Sequence, residues 1–292
     1  MGDGHDVIVL TRSRSNATDL PNAIEVVEGD ITDKSNFRDE MAGVDAVFHL
    51  AAWFQIGPGP WNEDKAEHIN VEGTRNVLEV MDELDVPKGV YASTVGVYGN
   101  TASEYVDESH RSPTDFPSIY QETKWRAHYE VAEPMVDEGL PLVITTLGAI
   151  YGPGNKAYGG TPRTAFQGHL TQELPMIPDE FVLPWDYVKD TAANLYRAMD
   201  EGNPGEEYIL ARSFELFRSQ LVDTDRDATD PGNLERSIRD ESPANRSFDF
   251  GRISRLREDN FHLACQIDSH PEHTAVIEVG NGALALTEGI QG

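Results

Sequence analysis

The sequence predicts an α/β protein with a doubly wound parallel sheet and a small C-terminal region. Short apolar runs rich in β-branched residues alternate with amphipathic stretches of helical length, as in successive βαβ units. Turn-forming glycines and prolines follow several of these runs. At 292 residues the chain is long enough to bury a sizeable core.

The two kinds of segment give the order of the elements. The predicted strands are Val7–Leu10, Ile24–Val27, Ala46–Leu50, Gly89–Ala92 and Leu142–Thr146. The predicted helices are Lys34–Met41, with Asp33 as its N-cap, Ala66–Leu84, Ile119–Val136 and Val188–Met199. Loops at the carboxyl ends of parallel strands form the ligand crevice in such folds, so candidate site residues are sought there.

The chain changes character after Ala211. The last 81 residues contain nine arginines but no lysine, tryptophan or tyrosine, and the hydrophobic periodicity weakens. This composition favours loop or disorder over most of the region, whereas Thr274–Val279 has the β-branched content of a strand.

The composition excludes several classes of function. Asp and Glu number 51 against 23 Lys and Arg, and the formal net charge of -28 would repel nucleic acid and anionic membranes. The acid is spread along the chain, which favours a halophilic surface over the alternative of an acidic mesophilic protein. Cys265 is the only cysteine, so no intrachain disulfide can form. Since no apolar run reaches 18 residues and the N-terminus lacks signal-peptide features, we expect a soluble cytoplasmic protein.

Tyr120 and Lys124 are the candidate catalytic pair. They lie four residues apart on a predicted helix, and therefore on the same face. A nearby ammonium favours the phenolate and lowers the pKa of a tyrosine, which makes the phenol a usable proton donor or acceptor near neutral pH. The alternative is an ordinary pair on a surface helix.

Two adjacent hydroxyl residues, Ser93 and Thr94, lie at the end of a predicted strand upstream of this helix. They belong to the segment Tyr91–Gly99, whose glycines indicate a turn. The alternative is that both hydroxyls only satisfy the backbone of that turn. This segment and the tyrosine–lysine pair resemble the extended short-chain dehydrogenases/reductases of the NAD(P)-dependent epimerase/dehydratase family, and in particular its dihydroflavonol-reductase-like branch.

The resemblance implies a role for each of these residues. Tyr120 would exchange a proton with the substrate, and Lys124 would lower the tyrosine pKa and hold the nicotinamide ribose. Thr94 would hydrogen-bond the substrate oxygen, supported by Ser93 as a second substrate-binding residue.

The resemblance extends through most of Val7–Leu210 and implies a Rossmann-like fold. The cofactor contacts that it implies, besides the tyrosine–lysine pair, are Asp30 and Ile31 at the adenine, Leu50, Ala51, Ala52, Leu147, Ala149 and Ile150. Asn70 would hold neighbouring strand ends together. Ala149 stands where nucleotide-sugar members usually carry Asn, which weakens the case for a nucleotide-sugar substrate.

Arg12 and Arg14 bear on the choice of cofactor. NAD-preferring folds place a carboxylate after this strand to accept the ribose hydroxyls, whereas a 2′-phosphate requires arginine. The sequence therefore favours NADP(H), with NAD(H) as the alternative, and a solvated basic turn would explain the arginines without any cofactor.

One part of the family pattern is missing. The family begins with a strand and a glycine-rich phosphate-binding turn, and we find no such motif here. We expect a wrong start or a truncated gene, two strands left without a partner, and weak cofactor binding. The expected domains are an incomplete dinucleotide-binding domain (1–150), a substrate segment (151–185), a return to the first domain (186–211) and a divergent C-terminal region (212–292).

The leading hypothesis is an NADP(H)-dependent oxidoreductase that acts on a hydroxyl or ketone of a small polar substrate, with no metal. The alternatives are a nucleotide-sugar epimerase or dehydratase that retains NAD, and a non-catalytic nucleotide sensor or decayed pseudoenzyme. The resemblance also implies a homodimer. The sequence leaves the substrate open.

Overall fold

The computed structural model describes residues 5–17, 20–54, 62–101, 104, 106–112, 116–151, 182–211, 213–216 and 274–278. The chain divides into two compact units. The described residues of the first unit fall within 1–147, 189–210 and 269–292, and those of the second fall within 148–188 and 211–268.

The strands occur throughout the described chain. They are β1 (Asp6–Thr11), β2 (Glu25–Glu28), β3 (Ala46–His49), β4 (Gly89–Thr94), β5 (Leu142–Leu147), β6 (Ala149–Tyr151), β7 (Val182–Tyr187), β8 (Glu207–Leu210), β9 (Ser213–Leu216) and β10 (Thr274–Glu278). The first unit contains a seven-stranded parallel sheet in the order β2-β1-β10-β3-β4-β5-β8. A parallel sheet with helical crossovers confirms the predicted α/β class.

The five predicted strands are all present, with ends that differ by one or two residues. Their runs are apolar because a parallel sheet is covered on both faces, and all six residues of β5 are buried. Strands β6, β7, β8 and β9 were not predicted. In the second unit, β7 pairs in parallel with β6 and antiparallel with β9.

Strand β10 corrects the expectation that two strands lack a partner. It lies between β1 and β3 and pairs in parallel with both, placing Val276 opposite Ile8 and Val47. The sequence signal at Thr274–Val279 therefore predicted a strand correctly but not its central position. Within the described residues, the C-terminal region completes the middle of the sheet.

Six helices are described, two of which begin at polar caps. They are α1 (Arg38–Met41), α2 (Glu63–Glu67), α3 (Thr74–Glu83), α4 (Ile119–Arg126), α5 (Glu133–Asp137) and α6 (Val188–Asp200), with π-helical turns at His68–Gly73 and Ala127–Ala132. Asn62 caps α2 by accepting the Lys65 N–H, and Ser118 caps α4 by accepting the Gln121 N–H. Since no sequence pattern marks a π-turn, both long helices were predicted as uninterrupted α-helices.

The predicted helix Lys34–Met41 is wrong as a single element. Asp33 does cap a first turn, where its carboxylate accepts the Ser35 N–H at 3.0 Å. That turn is a short 3₁₀ helix, Lys34–Asn36, and α1 begins only after Phe37. Phe37 is 2% exposed and has φ -144°, so its backbone leaves the helical region while its ring enters the core.

The core of the first unit lies between the sheet and its helices. The buried cluster includes Leu78 and Met81 of α3, Val131 of the second π-turn, and Leu142 and Ile144 of β5. No described helix is long and apolar enough to span a membrane.

The position of β10 makes a testable prediction about stability. Proline at residue 276 removes a backbone N–H and restricts φ in a central strand, so Val276→Pro is expected to lower the free energy of unfolding by about 3 kcal/mol or more. The control Val276→Ile keeps the N–H and the β-branched shape, and should stay within about 1 kcal/mol of the original chain. Urea denaturation measures both, and a Val276→Pro variant as stable as the control would contradict the central placement of β10.

Candidate active site

The end of β4 forms the floor of the candidate site. The Thr94 hydroxyl caps the next turn by accepting the Gly96 N–H at 3.2 Å, and the side chain of Thr94 is half-buried. A Cβ on Gly96 would lie 3.2 Å from Cγ of Gln121 and 3.5 Å from Oγ1 of Thr94. The missing side chain at Gly96 therefore lets the threonine turn approach helix α4 closely.

Lys124 is buried against β4. Its Nζ donates to the Tyr91 hydroxyl at 2.8 Å and to the Ala92 carbonyl at 2.9 Å, and lies 4.4 Å from the centre of the Tyr91 ring. Only 2% of Lys124 is exposed, and this burial lowers its pKa to about 7. An amine that is charged in water is therefore close to half-protonated at neutral pH in this site.

Tyr91 is held in turn by its own neighbours. It is fully buried, its ring stacks on His49 at a centroid distance of 5.3 Å, and His49 Nε2 lies 2.9 Å from the Thr74 hydroxyl. Burial raises the pKa of Tyr91 well above its ordinary value. The phenol therefore stays neutral, and its oxygen accepts the hydrogen bond from the lysine.

Asn70 ties the loop after β3 to helix α4. Its side-chain oxygen accepts the Trp53 N–H at 2.6 Å, and its amide donates to the Trp53 carbonyl at 3.0 Å and to the Thr123 hydroxyl at 2.9 Å. The same loop brings the Phe54 ring edge-on to the Tyr120 ring, with centroids 4.8 Å apart. Asn70 is 1% exposed, which agrees with the structural role expected for it.

Three predicted site residues therefore belong to one region of the first unit. Tyr120 and Lys124 lie on α4, and α4 packs on the turn that Thr94 caps. Tyr120 is half-buried, so part of its surface remains accessible, while Lys124 is enclosed beside the strand.

Ser93 has different surroundings from Thr94. Ser93 is 4% exposed, and its hydroxyl lies 2.9 Å from Nδ1 of His128, which is fully buried. Successive strand residues point to opposite faces, so the two hydroxyls diverge. The hydroxyl of Ser93 therefore contacts His128 in the protein interior and does not face a substrate cleft.

The predicted adenine contacts lie in a tight turn. The Asp30 carboxylate accepts the Thr32 N–H at 3.0 Å and the Thr32 hydroxyl at 2.8 Å through the same oxygen, Oδ1. Ile31 is 6% exposed, and its Cδ1 packs against Gly73. Most of the Ile31 side chain therefore belongs to the core.

The remaining predicted cofactor residues follow strand ends. Arg12 and Arg14 are exposed after β1, and the Arg14 N–H donates to the Glu28 carboxylate at 3.3 Å. The residues after β3 are Leu50, Ala51 and Ala52, of which Ala51 is 8% exposed and the other two are half-buried. Leu147 ends β5 in the first unit, whereas Ala149 and Ile150 belong to β6 in the second.

Sequence reasoning missed four residues that support this site. They are Tyr91 and Thr123, which hold Lys124 and Asn70, and the buried His128 with its half-buried neighbour Glu207. A partial signal existed for His128, since it lies four residues after Lys124 and therefore on the same helix face. Glu207 had none, because it is more than a hundred residues from Tyr98, whose hydroxyl donates to it at 2.6 Å.

Comparison with known proteins identifies the fold and the family. The model of the NAD dependent epimerase/dehydratase family matches residues 1–211. The chain belongs to this family. Its sheet is therefore a Rossmann-type sheet, as the resemblance at Tyr120, Lys124 and Thr94 implied.

Individual relatives share about 30% sequence identity with parts of the chain. The chain is 32% identical over 160 residues to the short-chain dehydrogenase/reductase family 42E member 1 of Xenopus laevis, a match that covers 52% of this chain and 42% of that protein. It is 28% identical over 216 residues to a protein of Synechocystis sp. named as a dihydroflavonol 4-reductase, covering 71% of this chain and 61% of the relative. The chain thus spans less than two thirds of either protein.

A solved structure has a similar fold. DesIV, a dTDP-glucose 4,6-dehydratase from Streptomyces venezuelae whose double mutant was solved with NAD bound, superposes with a TM-score of 0.64 and 25% identity. The match covers 77% of this chain and 72% of DesIV.

The buried lysine predicts how stability depends on pH. An exposed lysine in the unfolded chain keeps its proton to about pH 10.4, whereas Lys124 in the folded chain loses it near pH 7. Between these values the unfolded state binds more protons, so the contribution of Lys124 to stability rises with pH, by about 1 kcal/mol per pH unit above pH 8.

Chemical denaturation from pH 6 to 9 tests this prediction. The stability of the original chain relative to Lys124→Met is expected to increase with pH. The control is Lys34→Met, because the bond of Lys34 to Glu79 raises its pKa and it stays charged in both states. Parallel curves for the original chain and Lys124→Met would contradict the assignment.

Proposed function

We propose that this protein is an NADP(H)-dependent oxidoreductase that interconverts a hydroxyl and a ketone on a small polar substrate. The observation that supports this most is the burial of Lys124 against β4, one helical turn from the half-buried Tyr120 and beside the turn capped by Thr94. A lysine is expensive to bury without a charged partner, and sites that shift a pKa by several units are typical of catalysis.

The site fits the nicotinamide half of the cofactor. A ribose hydroxyl beside Lys124 would give the buried amine a polar partner in addition to Tyr91 and Ala92. The small side chains of Ala51 and Ala52 after β3 leave the backbone open to close approach. When bound, the nicotinamide supplies or accepts the hydride.

The residues of the chain would handle the proton. In ketone reduction, Tyr120 donates its phenolic proton to the carbonyl oxygen as the hydride arrives at carbon, and in alcohol oxidation it accepts that proton. Lys124 stabilises the phenolate while it carries its own proton. Thr94 donates a hydrogen bond to the same substrate oxygen and fixes its distance from the phenol.

The preference for NADP(H) rests on the turn after β1. This turn carries Arg12 and Arg14 on its exposed side, and β1 ends in Thr11 and not in an acid. The Glu28 carboxylate accepts the backbone N–H of Arg14 and not its guanidinium. Two guanidinium groups suit a 2′-phosphate better than free ribose hydroxyls.

A nucleotide-sugar dehydratase is the second candidate. It is favoured by the similarity to DesIV, which is named as a dTDP-glucose 4,6-dehydratase. The residue Ala149 weakens this candidate, since a methyl group cannot make the polar contact that an asparagine would make there. Such an enzyme returns its hydride within one turnover, so it would consume dTDP-glucose without net change in the cofactor.

The catalytic role of Tyr120 is tested by removing its hydroxyl. Tyr120→Phe is expected to lower kcat for NADPH-dependent reduction of a small ketone such as diacetyl by about 100- to 10,000-fold, because the proton donor is lost. Binding of NADPH, followed by its fluorescence, should change less than about threefold. The matched control is Tyr208→Phe, since among the described residues its hydroxyl bonds the Glu206 carboxylate and the backbone N–H of Asn203 near the surface. Equal activity in the two variants would exclude Tyr120 as the proton donor, and turnover of dTDP-glucose without NADPH oxidation would favour the second candidate.

The cofactor preference is tested by the two arginines. Arg12→Ala and Arg14→Ala are each expected to weaken NADPH binding by about 10-fold, the loss of one charged hydrogen bond, and to leave NADH binding unchanged. Arg38→Ala is the control, because Arg38 pairs with Glu83 on the surface. Tighter binding of NADH than NADPH by the original chain would overturn the preference.

A further inference from the structure

Strand β4 contacts helix α4 and the π-turn that follows it through two neighbouring polar contacts. Lys124 donates to the Tyr91 hydroxyl at 2.8 Å, and Nδ1 of His128 lies 2.9 Å from the Ser93 hydroxyl. All four side chains are at most 4% exposed. The first contact belongs to the candidate site, and the second has no role in the proposed chemistry.

The spacing of the two contacts matches the geometry of the elements. Four residues along a helix rise about 6 Å, and two residues along a strand rise about 6.6 Å. Lys124 and His128 therefore advance by nearly the same distance as Tyr91 and Ser93, which share one face of β4. A slip of the helix along the strand would break both contacts together.

A second neighbour of His128 favours one tautomer of its ring. Nε2 lies 3.5 Å from Oε2 of Glu207, and the other oxygen of this carboxylate accepts the Tyr98 hydroxyl at 2.6 Å. Nε2 makes no hydrogen bond among the described residues, but a carboxylate offers only acceptors, so this contact favours the tautomer with its proton on Nε2. In the neutral ring Nδ1 is then the acceptor, and the Ser93 hydroxyl donates to it.

A serine, a histidine and a glutamate in contact resemble a hydrolytic triad, but their burial excludes that activity. Ser93 is 4% exposed and His128 is fully buried, so an ester or amide has no path to the hydroxyl. The contacts among Ser93, His128 and Glu207 therefore have a structural role. Ser93 immediately precedes Thr94, whose hydroxyl the proposed function places on the substrate.

We propose that His128 is a positioning residue that fixes the end of β4, and with it Thr94, relative to helix α4. The imidazole bonds the Ser93 hydroxyl, and its Nε2 faces the Glu207 carboxylate on β8 at 3.5 Å without a hydrogen bond, so it spans from β4 to β8 across β5. The consequence for catalysis rests on the proposed function. The contact of His128 with Ser93 holds the end of β4 whether or not the proposed function is correct.

Three variants separate positioning from general stability. His128→Leu removes both polar contacts while filling the space, and is expected to raise amide hydrogen exchange in residues 93–98 about tenfold or more. His128→Asn places an amide oxygen near the position of Nδ1, so it should restore slow exchange there. His68→Leu is the control, because His68 is an exposed residue of the other π-turn. Exchange in β1 serves as the internal reference for global unfolding.

The outcomes decide the inference directly. Faster exchange confined to residues 93–98 in His128→Leu, with recovery in His128→Asn, supports positioning. Unchanged exchange there, or an equal rise in β1, would overturn it. This comparison needs neither cofactor nor substrate, so it decides the inference even if diacetyl reduction fails and the proposed function is wrong. Where diacetyl is reduced, His128→Leu should lower kcat about tenfold with KM for NADPH unchanged, and His128→Asn should recover most of the rate.

Discussion

The arrangement of the site depends on a lysine side chain held inside the protein. Lys124 cannot reach water, so its amine must find partners on β4, and it finds the Tyr91 hydroxyl and the Ala92 carbonyl. Because these partners are fixed in the sheet, the rotation and height of α4 are fixed as well. Tyr120, one turn earlier on α4, is positioned by the same helix, which packs on the turn that Thr94 caps.

A second network, next to this lysine in sequence, ties α4 to the loop after β3. The Thr123 hydroxyl accepts from Asn70, and Asn70 holds both backbone groups of Trp53. Each member of this network is buried, so each must be satisfied by another protein group. A site built at the carboxyl end of a central strand and on one helix gains its rigidity in this way, since loops alone would not hold the side chains to within a fraction of an ångström.

Much of the fold could be predicted from the sequence, because parallel strands buried on both faces leave short apolar runs that are easy to recognise. The shared helix face of Tyr120 and Lys124 could be predicted because residues four positions apart lie on the same face of an α-helix. The break at Phe37 could not, since it depends on the core into which the ring packs. The place of β10 could not either, because strand order is set by contacts between residues more than two hundred positions apart.

The partners within the site were less predictable than its catalytic candidates. A tyrosine and a serine two apart on a strand carry no signal until the strand is set against a helix in register. Tyr91 was therefore predicted only as part of a strand, and Ser93 was assigned to the substrate site, whereas its hydroxyl lies 2.9 Å from Nδ1 of His128. Family membership supplied the chemistry, while the particular side chains that hold the lysine in this protein came only from the structure.

A double-mutant cycle between Lys124 and Tyr91 tests the central claim most directly. The free energy of unfolding would be measured at pH 6, where Lys124 is charged, for Lys124→Met, Tyr91→Phe and the double variant. In Tyr91→Phe the phenylalanine ring still fills the space of the tyrosine. The account predicts a coupling of about 1.5–3 kcal/mol, the worth of a hydrogen bond to a charged group. Additivity of the two single changes to within about 0.5 kcal/mol would contradict it, because the lysine would then owe its position to something other than Tyr91.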